Sequence, residues 1–133
     1  MIYPRTFYIS TFGCTFNQAD SRKISNILLD ADYLPSSIFH SEIIIFNTCA
    51  VKSQTEAKIL HKIKSLKLHK DQKLLITGCL PWISEKLLDE MKGLNPNIRG
   101  FFDPNSFTHL LSLLKSTQSS TTNIPIIKSF PSH

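Results

Sequence analysis

The chain has few residues of the kinds that announce an activity: among 133 residues there are four glycines, three cysteines and one tryptophan. Neither GxxxxGK[ST] nor GxGxxG occurs, so the glycine-rich cradles for nucleotide phosphates are unsupported. The longest apolar runs, IIIF and LLSLL, fall far short of the roughly 20 residues that cross a bilayer. The start, MIYPRTFYIS, lacks a long apolar stretch and a small-residue cleavage site, so no secretory leader is expected and the reading is cytoplasmic, with no membrane partner. An odd number of cysteines in such a chain argues against a disulfide framework. With no CxxC pair and no paired histidines near the cysteines, a structural zinc site is also a poor fit. A cysteine phosphatase needs an arginine six positions after its nucleophile, and here those positions hold Asp20, Thr55 and Glu85.

What is present fits one domain with one hydrophobic core. The formal charge of +5 and pI near 9.2 permit a polyanionic partner such as RNA without demanding one. Strand and helix signals alternate along the chain. Thr6 to Ser10 reads as a strand; Ile24, Ile27, Leu28 and Ala31 then recur at helical spacing between about Asp20 and Asp32. Glu42 to Phe46 is an almost wholly apolar strand, as in a sheet covered on both faces. The helix after it carries Ile59, Leu60, Ile63 and Leu66. Lys73 to Thr77 is a third strand, Ile83 to Lys92 a third helix, and Ile98 to Phe102 a fourth strand. A last helix presents Phe107, Leu110, Leu111 and Leu114. Four successive β–α units predict an α/β domain of three layers, with a mostly parallel sheet of four or more strands, flavodoxin- or Rossmann-like. Residues 1–115 form this domain, and the Ser/Thr-rich, proline-punctuated stretch 116–133 reads as a linker.

Each cysteine follows a predicted strand and precedes helical sequence: TFGC at Cys14, FNTC at Cys49, ITGC at Cys79. In a parallel sheet these junctions all emerge at the carboxyl edge, where open α/β sheets bind ligands. Cysteines that merely filled a core would instead be scattered among strand and helix interiors. Three thiolates could hold an iron–sulfur cubane and leave one iron open, and the helix N-termini that follow would favour the negative charge. A redox-responsive thiol and a partly structural trio also remain compatible with the spacing.

Three blocks, TFGCTFNQADSRKI, FNTCAVKSQTEAKI and TGCLP, resemble the amino-terminal domain of methylthiotransferases, radical SAM enzymes that methylthiolate a tRNA adenosine or a ribosomal-protein aspartate. The likeness runs from about Phe7 to Lys115. The resemblance implies that Cys14, Cys49 and Cys79 ligate an auxiliary 4Fe–4S cluster whose open iron binds the sulfur to be transferred. Asn17, Asp20 and Asn47 match family positions beside those loops; equally, Asn17 and Asp20 suit a helix N-terminus and Asn47 a turn. NTCAVK and TGCLP look most like the archaeal and eukaryotic-type branch, which acts on threonylcarbamoyladenosine next to the tRNA anticodon. Family enzymes also carry a CxxxCxxC motif, which holds a second 4Fe–4S cluster and S-adenosylmethionine, and an RNA-binding barrel. All three cysteines here are already assigned, so the expectation is a chain that is catalytically incomplete alone, with tRNA as the partner of the complete enzyme and a separate radical SAM chain as a conceivable one. The competing reading is a non-catalytic RNA- or protein-binding α/β module with unmetallated cysteines.

Overall fold

The computed structural model describes residues 2–13, 15–48, 53–103, 110, 114 and 126–127. In chain order its elements are β1 (Tyr3–Thr11), α1 (Thr15–Asp30), β2 (Leu34–Pro35), β3 (Ser41–Thr48), α2 (Ser53–Ser65), β4 (Lys73–Gly78), α3 (Glu85–Lys92), β5 (Ile98–Phe102) and β6 (Ile126–Ile127). A single 3-10 turn, Leu80–Trp82, joins β4 to α3. The six strands among the described residues form one sheet in the order β2-β1-β3-β4-β5-β6, and every neighbouring pair is parallel. The expected α/β architecture is therefore what the chain adopts, with the flavodoxin-like strand order.

Alternation along the central strands sends side chains to both faces. From β3, Ile43 and Ile45 join Phe7, Ile24, Leu28, Leu75, Phe102, Leu110 and Leu114 in one apolar layer, under α1. Ile44 and Phe46 face the other way, onto Ile59 and Ile63 of α2 and Leu87 and Met91 of α3. Ile43 to Phe46 are 0–2 % exposed, so each contributes about 1.5–3 kcal/mol of burial. Leu60 and Leu66 of the α2 region are half-buried at the edge of that second layer.

Several boundaries differ from the periodicity. α1 begins at Thr15, five residues before the apolar spacing starts, because its first turns turn Asn17 inward rather than a hydrophobic residue. β3 continues past its apolar run through Asn47 and Thr48, which pair with Thr77 and Gly78 of β4. Asn47 is thus a strand residue, not a turn residue: its ladder position is buried and its side chain is fully hydrogen-bonded. α3 starts at Glu85 rather than Ile83, since Ser84 caps it by accepting a hydrogen bond from the Leu87 N–H at 3.1 Å. The two-residue strands β2 and β6 are too short to leave a period. β6 lies within the stretch read as a linker, and pairs there with Phe101 and Phe102. Leu110 and Leu114 are helical and buried, as their spacing predicts; the rest of that expected helix, with Phe107 and Leu111, lies outside the described residues.

Candidate functional site

In this strand order the chain leaves β1 to one side for β2 and returns to the other side as β3, so the crevice lies outside the carboxyl ends of β1 and β3. Those ends are knit across the sheet. The Phe12 N–H donates to the Asn47 carbonyl at 2.8 Å, and the Cys79 N–H donates to the Thr48 carbonyl at 3.1 Å. With strands about 4.8 Å apart, β1, β3 and β4 release their chains side by side. The residues leaving them are Gly13, Thr48 and Gly78, each immediately before a cysteine.

Cys14 and Cys49 lie outside the described residues; Cys79 is described, and is exposed at the carboxyl end of β4. Among the described residues no group of three or more His, Cys, Asp and Glu side chains is close enough to hold a metal ion. The supporting structure around the three positions is nonetheless specific. Two of the cysteines are preceded by glycines in the left-handed region, Gly13 at φ 113° and Gly78 at φ 94°. At Gly78 a Cβ would overlap the Thr48 peptide, coming within 2.8 Å of its carbonyl carbon. Only glycine lets the β4 turn close onto β3 there.

Thr48 is the centre of this arrangement. Its carbonyl accepts from the Cys79 N–H and, at 3.0 Å, from the Asn17 Nδ2 amide. Its hydroxyl donates to the Thr77 carbonyl at 2.7 Å and accepts from the Leu80 N–H at 3.3 Å. Asn17 sits three positions after Cys14, and Cys79 opens the β4 turn. One buried peptide, directly before Cys49, therefore ties together the segments that carry all three cysteines. Asn47 reinforces it: its Nδ2 donates to the Asn17 carbonyl at 2.7 Å and to Ser21 Oγ at 3.0 Å, while its Oδ1 accepts from Asn17 Nδ2 at 3.1 Å. Ser21 in turn shares a 2.7 Å hydrogen bond with Thr11 at the end of β1. Asn17, Asn47 and Thr48 are 0–6 % exposed, and such groups persist inside a fold only when bonded. The Thr77 hydroxyl, also buried beside this network, has no hydrogen-bond partner among the described residues.

Asn17 and Asn47 are thus brought together, whereas Asp20 stands apart from their hydrogen bonds as a half-buried residue one turn further along α1. Burial pushes the Asp20 carboxyl above its ordinary range, with Lys23 pulling partly the other way. Phe12 packs on Phe46 with ring centroids 5.3 Å apart and receives the Lys62 ammonium 5.5 Å over its face. Sequence reading did not single out Thr48, Ser21 or Gly78 as site residues. The signal was present: polar Asn47-Thr48 ends an apolar strand, where an unbonded side chain would be costly.

The uncharacterized protein family UPF0004 matches residues 6–101. A probable threonylcarbamoyladenosine tRNA methylthiotransferase of Methanothermobacter thermautotrophicus is 38 % identical over 87 residues, 65 % of this chain and 20 % of that protein. A tRNA-2-methylthio-N(6)-dimethylallyladenosine synthase of Pelodictyon phaeoclathratiforme is 38 % identical over 116 residues, 86 % of this chain and 26 % of that protein. A second probable threonylcarbamoyladenosine enzyme, from Pyrococcus horikoshii, is 39 % identical over 84 residues, covering 62 % and 20 %. The chain spans about a fifth to a quarter of the length of these relatives.

Proposed function

Because the chain belongs to the UPF0004 family, the amino-terminal domain of methylthiotransferases, we propose that it is the cluster-binding domain of a tRNA methylthiotransferase acting in the cytoplasm. The observation that carries this reading is the Thr48 peptide, bonded at once to Cys79 and to the Asn17 side chain. A shared ligand needs its donors fixed relative to one another, and a lone structural cysteine does not. The donor set suits iron, which is held by soft thiolates. Cys14, Cys49 and Cys79 would hold a 4Fe–4S cluster. When bound, that cluster supplies an iron without a protein thiolate, at which the sulfur for transfer can be held.

The chain's own residues orient and support. Gly78 permits the close approach of β4 to β3, and Thr48 fixes the direction in which Cys79 leaves the sheet. Asn17 and Asn47 anchor the first turn of α1, whose N–H groups favour negative charge at the preceding residue. The domain thereby fixes geometry, and the demanding chemistry belongs to cofactors. S-adenosylmethionine and the second cluster would bind a radical domain, in the same polypeptide or a separate chain. The substrate we favour is threonylcarbamoyladenosine beside the anticodon, supported by the NTCAVK and TGCLP blocks. Relatives named for dimethylallyladenosine match at similar identity, so these blocks alone carry the choice.

Anaerobic reconstitution of the 133-residue chain with iron and sulfide tests the site directly. About four irons per chain, with the absorption of a cubane and an EPR signal on reduction, are expected. Cys79→Ser should lose or reshape that signal. Failure of the wild type to take up iron, or an unchanged spectrum in the variant, overturns the cluster reading.

A further inference from the structure

The charge of the chain is confined to one stretch. Between Lys58 and Lys73 lie six of its fifteen lysines and arginines and one of its ten acids; the other nine cations and nine acids cancel. The net +5 of the whole protein therefore resides in these 16 residues. Folding sharpens this. Lys73 is neutralised by Glu42 at 3.3 Å, and Lys62 rests over Phe12. Lys58, Lys64, Lys67 and Lys70 are exposed and form no ion pair among the described residues.

Lys64 and Lys67 do not share a stripe of α2, because the helix ends at Ser65 between them. The turn that follows brings them, with His61, along a groove of about 640 Å³ floored by Leu66, Leu68 and Pro96. Among the described residues no carboxylate lines it. Two buried asparagines hold it in shape: Asn95 Nδ2 donates to the carbonyls of Ile63 and Leu66 at 2.8 and 2.9 Å, and Asn97 Nδ2 to those of His69 and Gln72 at 2.8 and 2.9 Å. These bonds cap the last carbonyls of α2 and fix the path into β4, so a ligand would meet a pre-shaped surface. The groove lies at the amino ends of β4 and β5, the opposite edge of the sheet from Cys79.

We infer that this groove is a contact surface for the phosphodiester backbone of RNA. Unpaired lysines along a rigid rim, without acids and with apolar patches between them, match a strand of phosphates and riboses, and phosphate contacts supply most of such affinity. The inference stands on charge and shape; only the preference for RNA over an acidic protein rests on the tRNA reading of the site.

The test is anisotropy titration of the 133-residue chain with an unmodified tRNA transcript between about 50 and 200 mM salt. Lys64→Ala/Lys67→Ala should lower the magnitude of the log–log salt slope by about two and weaken binding about tenfold at the low-salt end. Lys64→Arg/Lys67→Arg should retain binding, and Arg22→Ala/Lys86→Ala, the same charge loss on α1 and α3, should change it less than about threefold. Equal losses in the groove and control pairs, or no loss in the groove pair, overturn the inference. So does polyglutamate competing as well as RNA, which would assign the groove to an acidic protein. Iron uptake separates the two proposals: the groove variant should keep it, and Cys79→Ser should keep RNA binding.

Discussion

Gly78→Ala puts the geometry of the cysteine edge to its most direct test. The backbone at Gly78 has φ 94°, where an L-residue costs about 1–2 kcal/mol. The new Cβ would also occupy the space of the Thr48 carbonyl, so β3 and the β4 turn must separate. Separation stretches the Cys79 N–H bond to Thr48 O and the Leu80 N–H bond to Thr48 Oγ1, together about 2 kcal/mol. The expected loss is about 3–4 kcal/mol, a large fraction of the about 5–15 kcal/mol that holds a domain folded. With a urea slope of about 2 kcal/mol per molar, the midpoint should fall by about 1.5–2 M. Gly93→Ala is the matched control: its φ is −95° and a Cβ there would meet nothing closer than 3.9 Å, so it should stay within about 0.5 kcal/mol of wild type. A Gly78→Ala midpoint as close to wild type as the control's would refute the proposed clash. The same variant should alter the labelling rate of the Cys79 thiol, because the N–H bond that orients it is lost.

Asn47→Leu removes a fully buried amide of similar size and leaves the Asn17 carbonyl without its 2.7 Å donor. A loss of about 2–4 kcal/mol by urea unfolding is expected, and a loss below about 0.5 kcal/mol would mean the network adds nothing to the fold. Asp20→Asn should act in the opposite sense. Burial raises the folded pKa of Asp20, so its contribution to stability is full below the ordinary carboxylate range and is lost as pH rises through the raised value. The variant should therefore be more stable than wild type at pH 7, with the gap closing below about pH 4 in paired urea titrations. Destabilisation by the variant at pH 7 would show that the charged carboxylate helps hold α1.

Much of this fold is legible in the apolar pattern, because both faces of a parallel sheet are covered and each helix buries one stripe. Ile43 to Phe46 announces the central strand, and Ile24 with Leu28 announces the buried face of α1. What the pattern misses is polar. Asn17 and Asn47 read as cap and turn residues by propensity, yet both are buried because each satisfies the other. Propensity describes a residue alone, and this pair is stable only as a pair. The edge strands β2 and β6 are invisible for a different reason: two residues cannot express a period of two. The groove at the amino edge escapes helical-wheel reasoning because its lysines straddle the end of α2 at Ser65.

The parallel topology also settles how the two edges can influence one another. Every β→α junction opens on the carboxyl edge and every α→β junction on the amino edge. Cys79 follows β4, and the stretch bearing Lys64 to Lys70 precedes it, so the two are separated by the length of that strand. Six residues at about 3.3 Å each put them roughly 20 Å apart, about two and a half times the screening length at physiological salt. The groove lysines Lys64 and Lys67 therefore act only weakly through space on the carboxyl edge. Neutralising the groove should leave the reactivity of Cys79 untouched, and a polyanion can occupy the amino edge without displacing anything held at the other.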